Sequence, residues 1–233
     1  MSDQKALLDA ACIGDTDKVL ALLRHPVSPV EVNSVDPKGT TALILSAEHG
    51  HTETIVALLE AGAAINSTDT LGWTPLHFAA ANGHVHSVRR LVRAGAAVDA
   101  RDQVQWTPLH MAAMNGHVKC VRVLVEEAHA VIDAVNKFQL GVVHVSARSG
   151  HVECTRILVE LGANVDARTY YDETPLHLAA INGHEETVRL LVDLGSDVHS
   201  LDQESHSALD KARKRNKHGV AAYLAAGITR HTN

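Results

Sequence analysis

Apolar and polar residues alternate along this chain with the period of a helix, in short blocks that come in pairs. Val88, Leu91 and Val92 stand at i, i+3 and i+4, the spacing that lines one face of an α-helix. The first block of a pair opens on a fixed string: Thr74-Pro75-Leu76-His77, Thr107-Pro108-Leu109-His110 and Thr174-Pro175-Leu176-His177. Thr is a good N-cap and Pro is pre-set for the first helical position, so each string starts a helix. The glycine of Asn82-Gly83, Asn115-Gly116 and Asn182-Gly183 suits the left-handed conformation that ends it. A second helix follows and stops at Gly95 or its equivalents. Residues such as Asp69-Thr70-Leu71-Gly72 then read as a turn. Each unit is predicted to be helix, tight turn, helix and a projecting hairpin loop.

The pattern repeats. Gly-His recurs at Gly50-His51, Gly83-His84, Gly116-His117, Gly150-His151 and Gly183-His184, in steps of 33, 33, 34 and 33. Degenerate helix starts keep register at Thr41-Ala42-Leu43-Ile44, Gly141-Val142-Val143-His144 and Ser207-Ala208-Leu209-Asp210. A worn first copy sits at Leu7-Leu8-Asp9-Ala10-Ala11. One pair of short helices cannot bury its apolar face alone, so the units must stack into a continuous core. Seven units fill the chain, approximately 1–35, 36–68, 69–101, 102–135, 136–168, 169–201 and 202–233. The expectation is a single domain over 1–233.

The period and the Thr-Pro-Leu-His-x-Ala string resemble the ankyrin repeat. The resemblance covers nearly all 233 residues. It implies an all-α solenoid of stacked helix-turn-helix units with projecting β-hairpin loops. It also implies partner binding on the hairpin fingers and the adjoining first helices.

The chain departs from the pattern in three places. The first unit carries a three-residue excess around Arg24-His25-Pro26-Val27-Ser28-Pro29, and the last has Lys211, Arg213, Lys214 and Arg215 where inner units are small or apolar. Both read as caps, since a solenoid needs polar ends. In the middle, one extra residue follows Val125, and His129 stands where other units have the helix-ending glycine. Gly141 replaces Thr at the next helix start, at a cost of only a few tenths of a kcal/mol. The seam near 126–144 is expected to be the weakest interface.

Composition narrows the function. With 21 basic against 27 acidic residues the net charge is −6. The whole chain lacks the basic footprint that nucleic-acid binding needs. No apolar run is long enough to cross a bilayer, and Met1 to Lys5 is polar, without a signal-peptide core. Three cysteines with no Cys-x-x-Cys pair point to a reducing compartment, so the expected location is cytoplasm or nucleus.

Seventeen histidines invite a metal reading. His77, His110, His144 and His177 close the helix-start string, and His51, His84, His117, His151 and His184 follow the turn glycine. Each class recurs once per unit, so its members cannot converge on one ion. The resemblance implies that they hydrogen-bond across turns and loops. His49/His51 and His84/His86 lack companion ligands of metal spacing. His184-Glu185-Glu186-Thr187-Val188 lacks the second histidine of a zinc-protease string. Cys120 and Cys154 read as packing residues on second helices. No catalytic set, metal site or cofactor site is expected. An enzyme built on the histidine columns is the weaker alternative. The basic run Lys211–Lys217 reads as the solvated face of the cap, with an import signal as the alternative.

Five of the seven aromatics mark a surface instead, with Phe78 and Tyr223 placed on helices. Trp73, Trp106 and Leu140 are equivalent residues just before a helix start; Leu71, Val104, Phe138 and Tyr171 lie two places earlier, with Tyr170 beside them. Turn tips are normally polar, yet these carry two apolar columns. Met114, Asn115, Arg148 and Ile181 face the same groove from the first helices. Trp and Tyr are enriched at binding hot spots, so these twelve residues form the candidate partner site, with both tryptophans expected at the surface. The expected function is a non-catalytic scaffold holding a protein partner in the concave groove between fingers and first helices. The alternative is a regulatory inhibitor or substrate adaptor in a larger complex. A monomer is expected, with self-association through the fingers as an alternative. Arg89, Arg90, Arg93, Arg122, Arg156 and Arg189 form a second, basic face. Asn66, Asp99, Asp133, Asp166 and His199 share one hairpin position; in the family it can be hydroxylated, which makes Asn66 a candidate, against plain turn chemistry.

Overall fold

The computed structural model describes residues 2–25 and 30–230. Residues 26–29, within the expected first-unit excess, lie outside the described residues. Fourteen α-helices follow in order: α1 Ser2–Ile13, α2 Thr16–Leu23, α3 Ala42–Glu48, α4 Thr52–Glu60, α5 Pro75–Ala81, α6 Val85–Arg93 and α7 Pro108–Met114; then α8 Val118–Arg122, α9 Val142–Ser149, α10 Val152–Glu160, α11 Pro175–Asn182, α12 Glu185–Asp193, α13 Ala208–Lys214 and α14 His218–Arg230. No strand forms among the described residues; the hairpins there carry two isolated antiparallel bridges, Val35 with Thr41 and Val135 with Gly141. No described helix is long and apolar enough to cross a membrane.

The helices start where the sequence places them. Thr41 and Thr74 cap α3 and α5 with side-chain oxygens that accept from Ile44 N and His77 N. Gly141 caps α9 without a side chain, and the His144 ring accepts from Gly141 N at 3.1 Å. In α13 an aspartate takes the histidine's place: Ser207 donates from both N and Oγ to Asp210 Oδ2.

The chain forms two compact units, Met1–Ala112 with Arg122–Ala130, and Ala113–Val121 with Val131–Asn233. In the first, α1, α3 and α5 stack in one row and α2, α4 and α6 in another. Leu43, Ile44, Ile55, Leu58, Leu76 and Leu91 are fully buried there. In the second, α9, α11 and α13 form one row, and α10, α12 and α14 the other. Leu158, Leu176, Val188 and Leu191 fill that core. Each such side chain contributes roughly 1.5–3 kcal/mol on leaving water. Alanines such as Ala79, Ala80, Ala179 and Ala180 are fully buried as well, which lets the first helices approach closely.

Histidines lock successive repeats. The rings of His51, His84, His151 and His184 lie where side chains on Gly14, Gly50, Gly116 and Gly150 would stand. Their Nε2 atoms reach the backbone oxygens of Cys12, Glu48, Met114 and Arg148 at 2.9–3.0 Å.

The extra residue of the middle seam is absorbed inside a helix. After Arg122 the turn widens to a π-helix over Val123–Glu127, with Ala128 N bonded to Val123 O at 3.0 Å. A single inserted residue is a common origin of such a segment. His129 then takes φ 56°, the left-handed value expected of a helix-ending glycine.

Candidate functional site

Each finger is built on one polar side chain. Asp69 Oδ1 accepts from Leu71 N and Trp73 N, and Asp102 Oδ1 from Val104 N and Trp106 N, at 2.8–2.9 Å. Asn136 does the same for Phe138 and Leu140, and Thr169 Oγ1 for Tyr171 and Glu173. The bond pattern fixes two backbone N–H groups per turn, which points the intervening side chains outward. Neighbouring fingers are tied edge to edge: Thr70 N to Lys38 O and Gln103 N to Leu71 O in the first unit, Tyr170 N to Phe138 O and Gln203 N to Tyr171 O in the second.

The finger tips are apolar and open. Leu71 is 58 % exposed, Phe138 53 %, Tyr170 65 % and Tyr171 58 %. Val104 and Leu140 are half-buried. Tyr170 and Tyr171 meet edge to face, with ring centroids 5.4 Å apart. Asn115 and Arg148 are exposed, whereas Met114 and Ile181 are half-buried.

The two tryptophans are half-buried. Trp73 packs edge-on against Phe78 and lies over His77. Its indole Nε1 donates to Asp102 Oδ2 at 3.0 Å. Trp106 meets the edge of His110. Both rings brace their fingers against the first helix while keeping part of their surface in solvent.

The helix-start histidines are structural. The His77 Nδ1 accepts from Thr74 N (3.2 Å), which leaves the proton on Nε2, facing Trp106 O at 3.1 Å. His144 and His177 are held likewise, with Nε2 on Ala167 O and His206 O. Burial lowers the pKa of all three despite these bonds, that of His144 to about 4. Burial pushes the thiols of Cys120 and Cys154 up to about 11 and about 12, so neither is a nucleophile at neutral pH. No cluster of three or more His, Cys, Asp or Glu with metal-holding geometry occurs among the described residues.

Two expectations about charge change. Lys211, expected in a solvated basic run, is largely withdrawn from solvent, pairing with Glu173 Oε1 at 3.0 Å and with the buried Asp202. Burial would lower its pKa, but the two carboxylates outweigh that and raise it. The equivalence of Lys211 with Leu178 and of Glu173 with Leu140 is the sequence signal for this pair. On the outer helices Arg89, Arg122, Arg156 and Arg189 each meet a glutamate, and Arg189 also covers the Tyr223 ring at 4.4 Å. The basic outer face is thus largely neutralised. Asn66 Oδ1 accepts from Ala97 N at 2.9 Å, and Asp166 accepts from Asp197 N in the same manner, so this column joins successive hairpins.

Comparison with known proteins agrees with the geometry. A family model described as ankyrin repeats (3 copies) matches residues 7–102, 55–136, 88–169, 129–202 and 168–231. No curated protein sequence matches the chain. Among 620 matching chains of solved structures, the crystal structure of the human ASB11 ankyrin repeat domain is 31 % identical, with a TM-score of 0.84. That match covers 94 % of this chain and 96 % of that one. The chain belongs to the ankyrin-repeat family. The fold is a general protein–protein interaction scaffold, and its members are generally non-catalytic; so widely shared a fold does not by itself name a partner.

Proposed function

We propose that this chain is a non-catalytic module that holds a partner protein on the fingers and first helices of its units, with all seven repeats serving one domain. The observation that carries this reading is a set of large apolar side chains left open at turn tips: Leu71 in the first unit, and Phe138, Tyr170 and Tyr171 together in the second. Turn tips have no packing need for them, and contiguous exposed apolar surface usually marks an interaction site. Bonds between neighbouring fingers support a second part of the reading. A surface already ordered loses less free energy on binding. In the first unit Trp73 and Trp106 act as half-open anchors beside Val104; in the second, Met114, Asn115, Leu140, Arg148 and Ile181 complete the surface.

The partner is a protein rather than a nucleic acid, a reading supported by the net charge of −6. The working form is a monomer; its place in the cytoplasm or nucleus is supported by three free cysteines. Asn66 is a candidate for hydroxylation, which intact mass of protein from its native cell would report as one added oxygen.

The test is a paired pull-down from cell lysate. One bait is the wild-type chain; the other carries Leu71→Ser, Phe138→Ser, Tyr170→Ser and Tyr171→Ser, verified as folded by circular dichroism. Proteins held by the first and released by the second are the expected result. Identical lists from both baits would reject the fingers as the site.

A further inference from the structure

A cleft of about 650 Å³ lies within the second unit, in the size range of sites that hold a side chain or small ligand. Phe138, Leu140 and Tyr171 of the fingers form one wall, and Leu178 and Ile181 of α11 the other. Three cations complete the lining: Arg148 near the end of α9, Arg215 just after α13, and Lys217.

These cations are uncommitted. Arg156, Arg189, Lys211 and Lys214 of the same unit each have a carboxylate within 4 Å, whereas no such pair forms for Arg148, Arg215 or Lys217 among the described residues. The only carboxylate in the lining, Glu173, is already held by Lys211. Two of the three break their columns. Arg215 stands where other repeats have Asn82, Asn115 and Asn182, and Lys217 where they have the locking histidine. The Lys217 stem lies across Gly183, whose missing Cβ would be 2.7 Å from its Cδ, so the stem is packed and the ammonium is left at the cleft. A cationic, apolar-walled cleft has thus been placed on a chain of net charge −6.

We propose that this cleft takes an acidic segment of a partner protein, in which a large apolar side chain is flanked by carboxylates. The inference rests on the binding reading above and adds its chemistry. The apolar side chain enters between Tyr171 and Ile181, and the carboxylates meet Arg148 and Arg215, whose guanidinium forks suit bidentate pairing. Complementary charge of this kind selects partners and speeds encounter. Phosphate-backbone ligands fit less well, because the acidic remainder of the chain repels an extended polyanion.

The experiment is selection of a random displayed peptide library on the intact chain, followed by fluorescence anisotropy of the enriched peptides. Three proteins are compared: wild type, Tyr171→Ala, and Arg148→Glu with Arg215→Glu. The substituted side chains are exposed, and circular dichroism verifies the fold. The expected result is enrichment of acidic peptides with a central aromatic or Leu. Their affinity falls at least about tenfold in both variants and weakens with added salt. Enriched peptides that are neutral or basic, and that respond to Tyr171→Ala but not to charge reversal, would overturn the acidic assignment and leave the binding reading standing. Peptides indifferent to both variants would overturn both. Single-stranded RNA retained by wild type and lost on charge reversal would overturn the peptide assignment.

Discussion

Trp73 donates its indole N–H to the outer carboxylate oxygen of Asp102, the residue that builds the next finger. One oxygen of Asp102 thereby holds its own turn and the other holds its neighbour's ring. Trp73→Phe keeps an aromatic ring, with some loss of volume, but leaves a 6 % exposed carboxylate short of a donor. A loss of about 1.5–3 kcal/mol is expected, the usual cost for a charged acceptor. Among the described residues the indole N–H of Trp106 has no hydrogen-bond acceptor, its ring meeting only the edge of His110. Trp106→Phe loses the same volume, serves as the control and is expected to cost less. Urea midpoints of the two variants measure the difference; equal losses would contradict it.

Acid should weaken the fold through its buried histidines. The pKa values of His77, His144 and His177 are lowered from 6.5 by burial. Above pH 6.5 both states hold them neutral and they contribute no pH dependence. Below it the unfolded chain takes up protons that the folded chain refuses, so stability falls as pH drops, until the folded groups titrate. For His144 that window runs from 6.5 to about 4, worth on the order of 3 kcal/mol. Denaturant midpoints should decline across this window, and His144→Gln should flatten the decline. An unchanged slope in the variant would argue against the assignment.

Gly150 faces two constraints at once. Its φ is 76°, and an added Cβ would fall 2.6 Å from His184 Nδ1. Gly150→Ala should cost roughly 3 kcal/mol, combining left-handed strain of about 1–2 kcal/mol with disturbance of the His184 bond to Arg148 O. Gly162 has a similarly positive φ but open space around its Cβ position. Gly162→Ala should therefore lose only the backbone part, and thermal unfolding of the pair separates the two.

His129 offers the reverse experiment. It holds φ 56° without being glycine, and its side chain is exposed. His129→Gly should stabilise the chain by about 1 kcal/mol, relieving left-handed strain. The same segment, with its π turn, should show faster amide exchange than the other internal repeats, since the helical bond pattern is irregular there. Hydrogen exchange resolved by residue checks this; uniform protection would refute it.

The fold was legible because its signals are local. Thr74-Pro75 and Thr174-Pro175 each carry a cap and a helix start in two residues, and Gly150-His151 carries a stop and the next start. The one-residue excess near Val125 was also visible, but whether it would bulge a loop or widen a helix was not. That choice depends on closing the segment against Leu124, as the Ala130 N to Leu124 O bond does. The finger columns were readable as positions, and the exposure of Leu71, Phe138, Tyr170 and Tyr171 follows from them. The half-burial of Trp73 was hidden, because its partner Asp102 belongs to another repeat and reads as an ordinary turn aspartate. The same limit concealed the Lys211–Glu173 pair within what looked like a charge run. In the sequence Arg215 and Lys217 read only as charges; the fold brings both to the cleft, with the Lys217 stem packed over Gly183.

The glycine-and-histidine locks have a consequence for how such a chain changes length. In four joints, from Gly14 with His51 to Gly150 with His184, a bare glycine of one repeat receives the ring of the next. A copy carrying both parts fits beside any other. Tandem duplication or loss of one whole repeat therefore preserves every remaining joint. A change of any other length would leave a ring without its hollow. Evolution can lengthen or shorten the array in whole steps, free to vary the finger tips that the joints never touch.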